Sequence, residues 1–114
     1  YLVNLKNKQV SPLSELNSKD TESYHSWSSN GRWVVFSSRR IDGLYTRPFI
    51  AYIDKNGKAH KPFLLPQKEK DYYTFLMKSY NIPEFTTGKV KVDQYVTSKI
   101  AKKDKGTDLK FSYK

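Results

Sequence analysis

The chain contains no cysteine, which excludes disulfide cross-links and thiolate chemistry. It also lacks an apolar run long enough to cross a bilayer, and no secretory signal survives at its start. Glycine is sparse, five in all, and none is gathered into a loop that could cradle phosphate. No Gly-x-Ser-x-Gly elbow is present, so no serine stands on the strained turn that makes it a nucleophile. No pair of carboxylates stands at a plausible catalytic spacing. Methionine is absent from the first position, where Tyr1 stands. The expectation is a processed or excised piece of a longer chain, with any leader lying upstream. These absences leave a sequence that speaks of architecture more than of activity.

What is present is basic, aromatic and of a length that suits one small domain. The formal net charge is +10 over 114 residues. Residues 1–60 carry nine Lys and Arg against five Asp and Glu, and residues 61–114 carry twelve against six. Most of the excess is lysine scattered singly among polar residues, the pattern of a solvated face. That scatter argues against a dedicated nucleic-acid surface, although the balance keeps polyanion binding as an alternative. The four arginines differ, because Arg32, Arg39, Arg40 and Arg47 all fall in one stretch. Nine Tyr, six Phe and two Trp suit sheet faces and binding surfaces alike.

The stretch Ser26-Trp27-Ser28-Ser29-Asn30-Gly31-Arg32-Trp33-Val34-Val35-Phe36-Ser37-Ser38-Arg39-Arg40 reads as strand, tight Asn-Gly turn, strand. Downstream, Phe49 to Asp54 runs into Lys55-Asn56-Gly57-Lys58, a second strand and a second Asn-Gly turn. Two such hairpins in succession predict a mainly β fold, a four-stranded antiparallel meander. Its strands are expected at residues 22–28, 33–38, 44–54 and 60–65. The second is the most β-prone, with Trp33, Val35 and Ser37 on one face and Val34 and Phe36 on the other. Pro48 is expected to bend the third and interrupt its ladder. Pro66 ends the fourth.

Ahead of the meander, residues 1–5 read as a strand, residues 6–9 as a turn and residues 10–13 as a short extended return. Residues 16–22 read as a polar loop. Behind it, Tyr72, Leu76 and Tyr80 fall four apart, and Tyr73, Met77 and Phe75 fill out the stripe. This predicts one amphipathic helix over residues 67–80, docked on the sheet and stopped by Asn81 and Pro83. Val90 and Val92 alternate with lysines as a short strand. Residues 98–108 form a weakly patterned basic tail, and residues 109–113 one more strand or an unfolded end.

With those residues laid out, the chain resembles the TolB-like, WD40-like β-propeller repeat. That repeat has a Trp-Ser-Pro-Asp-Gly-Lys core, an apolar strand, a Ser-Asp-Arg-type loop, a strand ending in Asp and a Gly-containing turn. Trp27-Ser28-Ser29-Asn30-Gly31-Arg32 occupies the core, Val34 to Arg39 follows, and Ile50 to Asp54 with Gly57 closes the pattern. Ser29 replaces the usual proline and Asn30 the usual aspartate; asparagine serves such a turn equally well. The stretch Ser79-Tyr80-Asn81-Ile82-Pro83-Glu84-Phe85 is similar to the C-terminal end of large TolB-like propeller proteins of Bacteroides-type bacteria. The resemblance implies three parts: residues 1–21 ending a preceding blade, 22–66 a propeller blade, and 67–114 a helix and basic tail. It further implies a non-catalytic protein-interaction scaffold in the periplasm or cell envelope of a Gram-negative bacterium. Its partners would be another protein or the remaining blades, with self-association through open strand edges as a further route. In some relatives such propellers gate an attached peptidase, which keeps an accessory role to a hydrolase as an alternative. Fold alone does not transfer function.

Four residues stand out as candidates for binding a ligand or partner: His25, Arg39, Arg40 and Arg47. His25 precedes Ser26 and Trp27, but a triad also needs an acid and an oxyanion hole. The resemblance implies that His25 lines the innermost strand of the blade, near a channel. As a metal pair, His25 and His60 lack ligand spacing. Arg39 and Arg40 could grip a carboxylate or phosphate as paired guanidinium groups, or pair with Asp42 or Asp20. Arg47 beside Pro48 is a weaker case of the same idea. Trp27 and Trp33 could stack on sugars or bases, and suit packing better. Asp54-Lys55-Asn56-Gly57 resembles the start of a calcium loop but lacks the remaining oxygen ligands. No cofactor, metal or catalytic residue is assigned.

Overall fold

Strand pairing follows from the run Trp33-Val34-Val35-Phe36-Ser37-Ser38, whose β-branched and aromatic side chains favour extended backbone. In the computed structural model, which describes residues 1–93 and 95–103, this run is the second strand of a four-stranded antiparallel sheet. A two-stranded sheet precedes it, formed by β1 (Leu2–Val3) and β2 (Val10–Ser11). The meander itself comprises β3 (Glu22–Trp27), β4 (Trp33–Ser38), β5 (Arg47–Tyr52) and β6 (Phe63–Leu64), in sequence order. The fold is therefore mainly β. Two short helices follow, α1 (Tyr72–Phe75) and α2 (Val96–Ala101).

The β4–β5 pair is unbroken from Trp33↔Tyr52 to Ser38↔Arg47. Because side chains alternate between faces, this register gathers Val34, Phe36, Phe49 and Ala51 on one face. Ile53 and Ala59 join them through an isolated bridge beyond the strand. Leu13 and Leu16 lie over this face, and Leu64 packs at its edge. Phe36 and Ala51 have no exposed surface. The opposite face carries Trp33, Val35, Ser37, Pro48, Ile50, Tyr52 and, on β6, Phe63.

Both Asn-Gly turns of the meander keep glycine where the chain turns left-handed. Gly31 has φ +64° and Gly57 has φ +81°, a region that L side chains enter only at a cost. The first connection spans four residues, closed by the Ser28 amide donating to the Trp33 carbonyl (2.9 Å). Ser28 Oγ accepts from the Trp33 amide (2.9 Å), and Asn30 Oδ1 accepts from the Arg32 amide (3.0 Å). The second turn is organised by Asp54, whose Oδ1 accepts from the amides of Asn56 (2.8 Å) and Lys58 (2.9 Å). A polar side chain thus satisfies turn amides that have no strand partner.

Several expected boundaries shift. Pro48 leaves the β4–β5 ladder intact, pairing with Ser37. In an antiparallel strand the N and C=O of one residue point the same way. The Pro48 carbonyl accepts from the Leu65 amide (2.9 Å), so its missing N–H faces the short β6 side. The predicted helix over 67–80 is only one turn, Tyr72–Phe75, and Leu76 is already extended (φ −82°, ψ 102°). No strand forms at Val90 and Val92, both of which are exposed. A helix, α2, opens the basic stretch instead. The strand or unfolded end considered for residues 109–113 lies outside the described residues. None of the helices crosses the length or apolarity needed to span a membrane, among the described residues.

Leu16 is the residue that sequence patterning missed. It sits in a loop of polar residues yet is 2% exposed. A turn closed by the Leu16 and Asn17 amides on the Leu13 carbonyl aims it into the core. Phe36 lies at the centre of the covered face, stacked against Phe49 with ring centroids 6.1 Å apart. Truncating Phe36→Ala is expected to lower unfolding free energy by about 3–5 kcal/mol, read from urea denaturation followed by circular dichroism.

Candidate interaction surface

The four candidate residues are placed in four different settings. His25 sits at a β-bulge in β3, where the register slips between Ser23↔Ser37 and Ser26↔Val35. Tyr24 occupies the extra position with φ +56°, strained backbone for an aromatic residue. The bulge returns His25 to the covered face, where its ring stacks on Phe36 at 5.5 Å. His25 also walls a cleft of about 460 Å³ with Leu13, Leu16, Glu22, Trp27 and Val34. One side of His25 stays exposed, but desolvation of the side held against Phe36, with a smaller contribution from the amino terminus, pushes the imidazole below its ordinary value of 6.5; Glu22 opposes this weakly.

Arg39 and Arg40 do not act as a pair. Arg39 is exposed, while Arg40 turns inward. The Arg40 guanidinium donates to the Leu16 carbonyl, to Ser38 Oγ (2.9 Å) and to Glu22 Oε1 (3.1 Å). Its charge also lies over the rings of Phe49 (4.7 Å) and Phe36 (5.3 Å), a cation–π arrangement. The partner is Glu22 rather than the expected Asp42 or Asp20. Desolvation would raise the Glu22 carboxyl. Hydrogen bonds from Ser18 and Ser38 and the charge of Arg40 outweigh it, and the net shift is downward.

Arg47 is engaged by the fold through both terminal nitrogens of its guanidinium. Its side chain is 3% exposed. It donates to the carbonyls of Lys78 (2.6 Å), Leu76 (2.9 Å) and Tyr73 (3.1 Å) and lies 3.8 Å from Asp42 Oδ2. Thr46 joins it, its hydroxyl donating to the Tyr80 carbonyl (2.8 Å) and its own carbonyl accepting from the Tyr80 amide (3.0 Å). Ser37 Oγ donates to the same Tyr80 carbonyl (2.6 Å). Residues 73–80 are therefore strapped to the end of β4 and β5 through backbone carbonyls. The strap buries phenols as well: Tyr72 and Tyr80 hydroxyls meet at 2.8 Å, and desolvation with that contact leaves Tyr80 pushed up to about 12. Neither Arg40 nor Arg47 presents a guanidinium for an external anion.

The exposed aromatic side chains lie elsewhere, where sequence reading saw packing residues and a hairpin. On the face opposite the core, Trp33 and Tyr52 pack at 5.2 Å and Tyr52 and His60 at 5.4 Å. Tyr52 is 37% exposed, and Phe63, on the same face, 50%. Trp33↔Tyr52 is an end rung of the β4–β5 ladder, and no local motif signals it, because the two residues meet only once distant parts of the chain fold back on one another. Among the described residues, no three His, Cys, Asp or Glu side chains gather around a point where a metal ion could sit.

Two outcomes follow from this geometry. Replacing Arg47→Met leaves three carbonyls without their donor, and is expected to release residues 72–81 to proteolysis while the sheet signal persists. The loss should be about 3 kcal/mol, read by limited proteolysis with mass spectrometry and by denaturation. Acid should also weaken the fold in two stages. A folded His25 below 6.5 binds fewer protons than the unfolded chain, so stability falls as pH drops through that range. Glu22, below its ordinary 4.5, adds stability above that value which is lost as pH falls further. Thermal melts across pH 7 to 3 check this, with His25→Gln expected to remove the first stage.

A scan against protein-family models, a search of curated proteins and a search of solved structures each returned no match.

Proposed function

We propose that this chain is a non-catalytic interaction module, one blade of a TolB-like β-propeller with its C-terminal extension, serving as a scaffold at a bacterial cell envelope. The observation that carries the reading is the four-stranded meander in sequence order with aromatic side chains left open on both of its faces. Trp27 is 42% exposed on the core side, and Tyr52 and Phe63 are open on the other. A lone sheet with two apolar faces is half of a packing arrangement, and blades of a propeller complete one another in this way. The charged groups support the same view. Arg40, Arg47 and Glu22 hold the fold together through hydrogen bonds and ion pairs within it.

The test is cross-linking in the source cells followed by fractionation. Lys58 and Lys61, exposed beside the open face, are expected to cross-link to another β-sheet segment of the same or a second polypeptide, within the envelope fraction. A cytosolic distribution, or cross-links confined to the 114 residues themselves, would overturn the reading.

A further inference from the structure

The corner where Trp33, Tyr52 and His60 meet combines two properties that seldom coincide without a partner. The rings form a contiguous chain of contacts that remains partly open to solvent. Cations crowd the same end of the sheet. Arg32 immediately precedes Trp33, and its carbonyl accepts from the Ile53 amide (2.8 Å), which places it at the base of the second turn. Lys55 and Lys58 lie in that turn, and Lys61 follows His60. Against these four cations stands the single carboxylate of Asp54, whose Oδ1 is already shared by two backbone amides. None of the four cations makes a salt bridge among the described residues. A surplus of unpaired positive charge at the same end of the sheet as partly exposed aromatic rings calls for a negatively charged, partly apolar occupant. Trp, Tyr and Arg are the residues that anchor protein interfaces, and a charged rim steers the partner and fixes its orientation.

We propose that the corner formed by Trp33, Tyr52 and His60, rimmed by Arg32, Lys58 and Lys61, docks an acidic polypeptide segment. The proposal rests on the scaffold reading and names the chemistry of its partner. Apolar side chains of the segment cover the rings, and its Asp and Glu carboxylates meet the rim. A polypeptide is favoured over a nucleic acid because the rings are tilted against one another, by 59° and 48°. Tilted rings offer no row of parallel platforms for successive bases.

Fluorescence anisotropy with four labelled probes tests this on the full chain: a short peptide alternating Glu and Leu, its Lys and Leu twin, oligo-dT and heparin. The Glu-Leu peptide is expected to bind in preference to the other three, weakening as salt rises. Trp33→Ser and Tyr52→Ser should each weaken it about tenfold. The triple charge reversal Arg32→Glu, Lys58→Glu, Lys61→Glu should abolish it and transfer preference to the Lys-Leu twin. All three sites lie at the surface or beside turns; circular dichroism confirms that each variant keeps the sheet. Equal binding of both peptides, tighter binding of oligo-dT or heparin, or indifference to the substitutions would overturn the proposal. Such a failure with envelope cross-links intact would remove this corner and leave the scaffold reading standing. Loss of both would remove the two together.

Discussion

The register between β4 and β5 is the constraint from which the rest of the molecule follows. Its six rungs place Phe36 opposite Phe49 and Val34 opposite Ala51. A slip of one residue would send the apolar side chains of the slipped strand to the other face, because the side-chain period of a strand is two. The core would then present Ser37, if β4 slipped, or Pro48, if β5 slipped, to Leu13 and Leu16. The connection between the two strands defends against such a slip. Gly43 is left-handed there (φ +70°), and Asp42 Oδ1 accepts from the amides of Leu44 and Tyr45 (2.9 Å each), so loop geometry and hydrophobic pattern agree on one register.

The same register explains why the arginines serve structure. Ser38↔Arg47 is the last rung of the pair, so Arg47 leaves the ladder at the point where the sheet ends and bare backbone is at hand. An isolated one-turn helix such as α1 is unstable by itself. In a longer helix the Leu76 carbonyl would accept from the Tyr80 amide. Instead Arg47 takes that carbonyl, and Thr46 takes the Tyr80 amide. A buried guanidinium with three carbonyl acceptors is a stronger arrangement than the helical bonds it displaces, since bonds to a charged donor exceed neutral ones. The helix expected over residues 67–80 is thus unwound by tertiary contacts that no local periodicity can reveal.

What the sequence made legible is what local chemistry controls. The limits of β4, the two glycine turns and the order of the meander follow from strand propensity and turn residues within a few positions of each other. Leu16, the bulge at Tyr24 and the carbonyl strap were hidden for the opposite reason. Each depends on a partner far along the chain: Leu16 on Val34 and Phe36, His25 on Phe36, Arg47 on Tyr73 to Lys78. Of the surface, Trp33 was visible but its alignment with Tyr52 and His60 was not, because that alignment needs the second turn to fold back. Arg39 and Arg40 misled as a pair, since adjacent residues in or near a strand point to opposite sides.

The edges of the sheet bear on how it meets other molecules. An open strand edge invites pairing with another chain, and proteins blunt it with bulges, prolines and short strands. Here β3 carries a bulge with Tyr24 forced left-handed. At the other edge β6 has two residues, between Pro62 and Pro66, neither of which has an amide to donate. Both edges therefore resist strand addition, and association through them would first have to straighten β3 or extend β6. The faces carry no such obstacle. Trp27, Tyr52 and Phe63 stand exposed there, while the edges are blunted by backbone geometry. Association through faces, side chain against side chain, is the mode that this arrangement of bulge, proline and exposed ring favours.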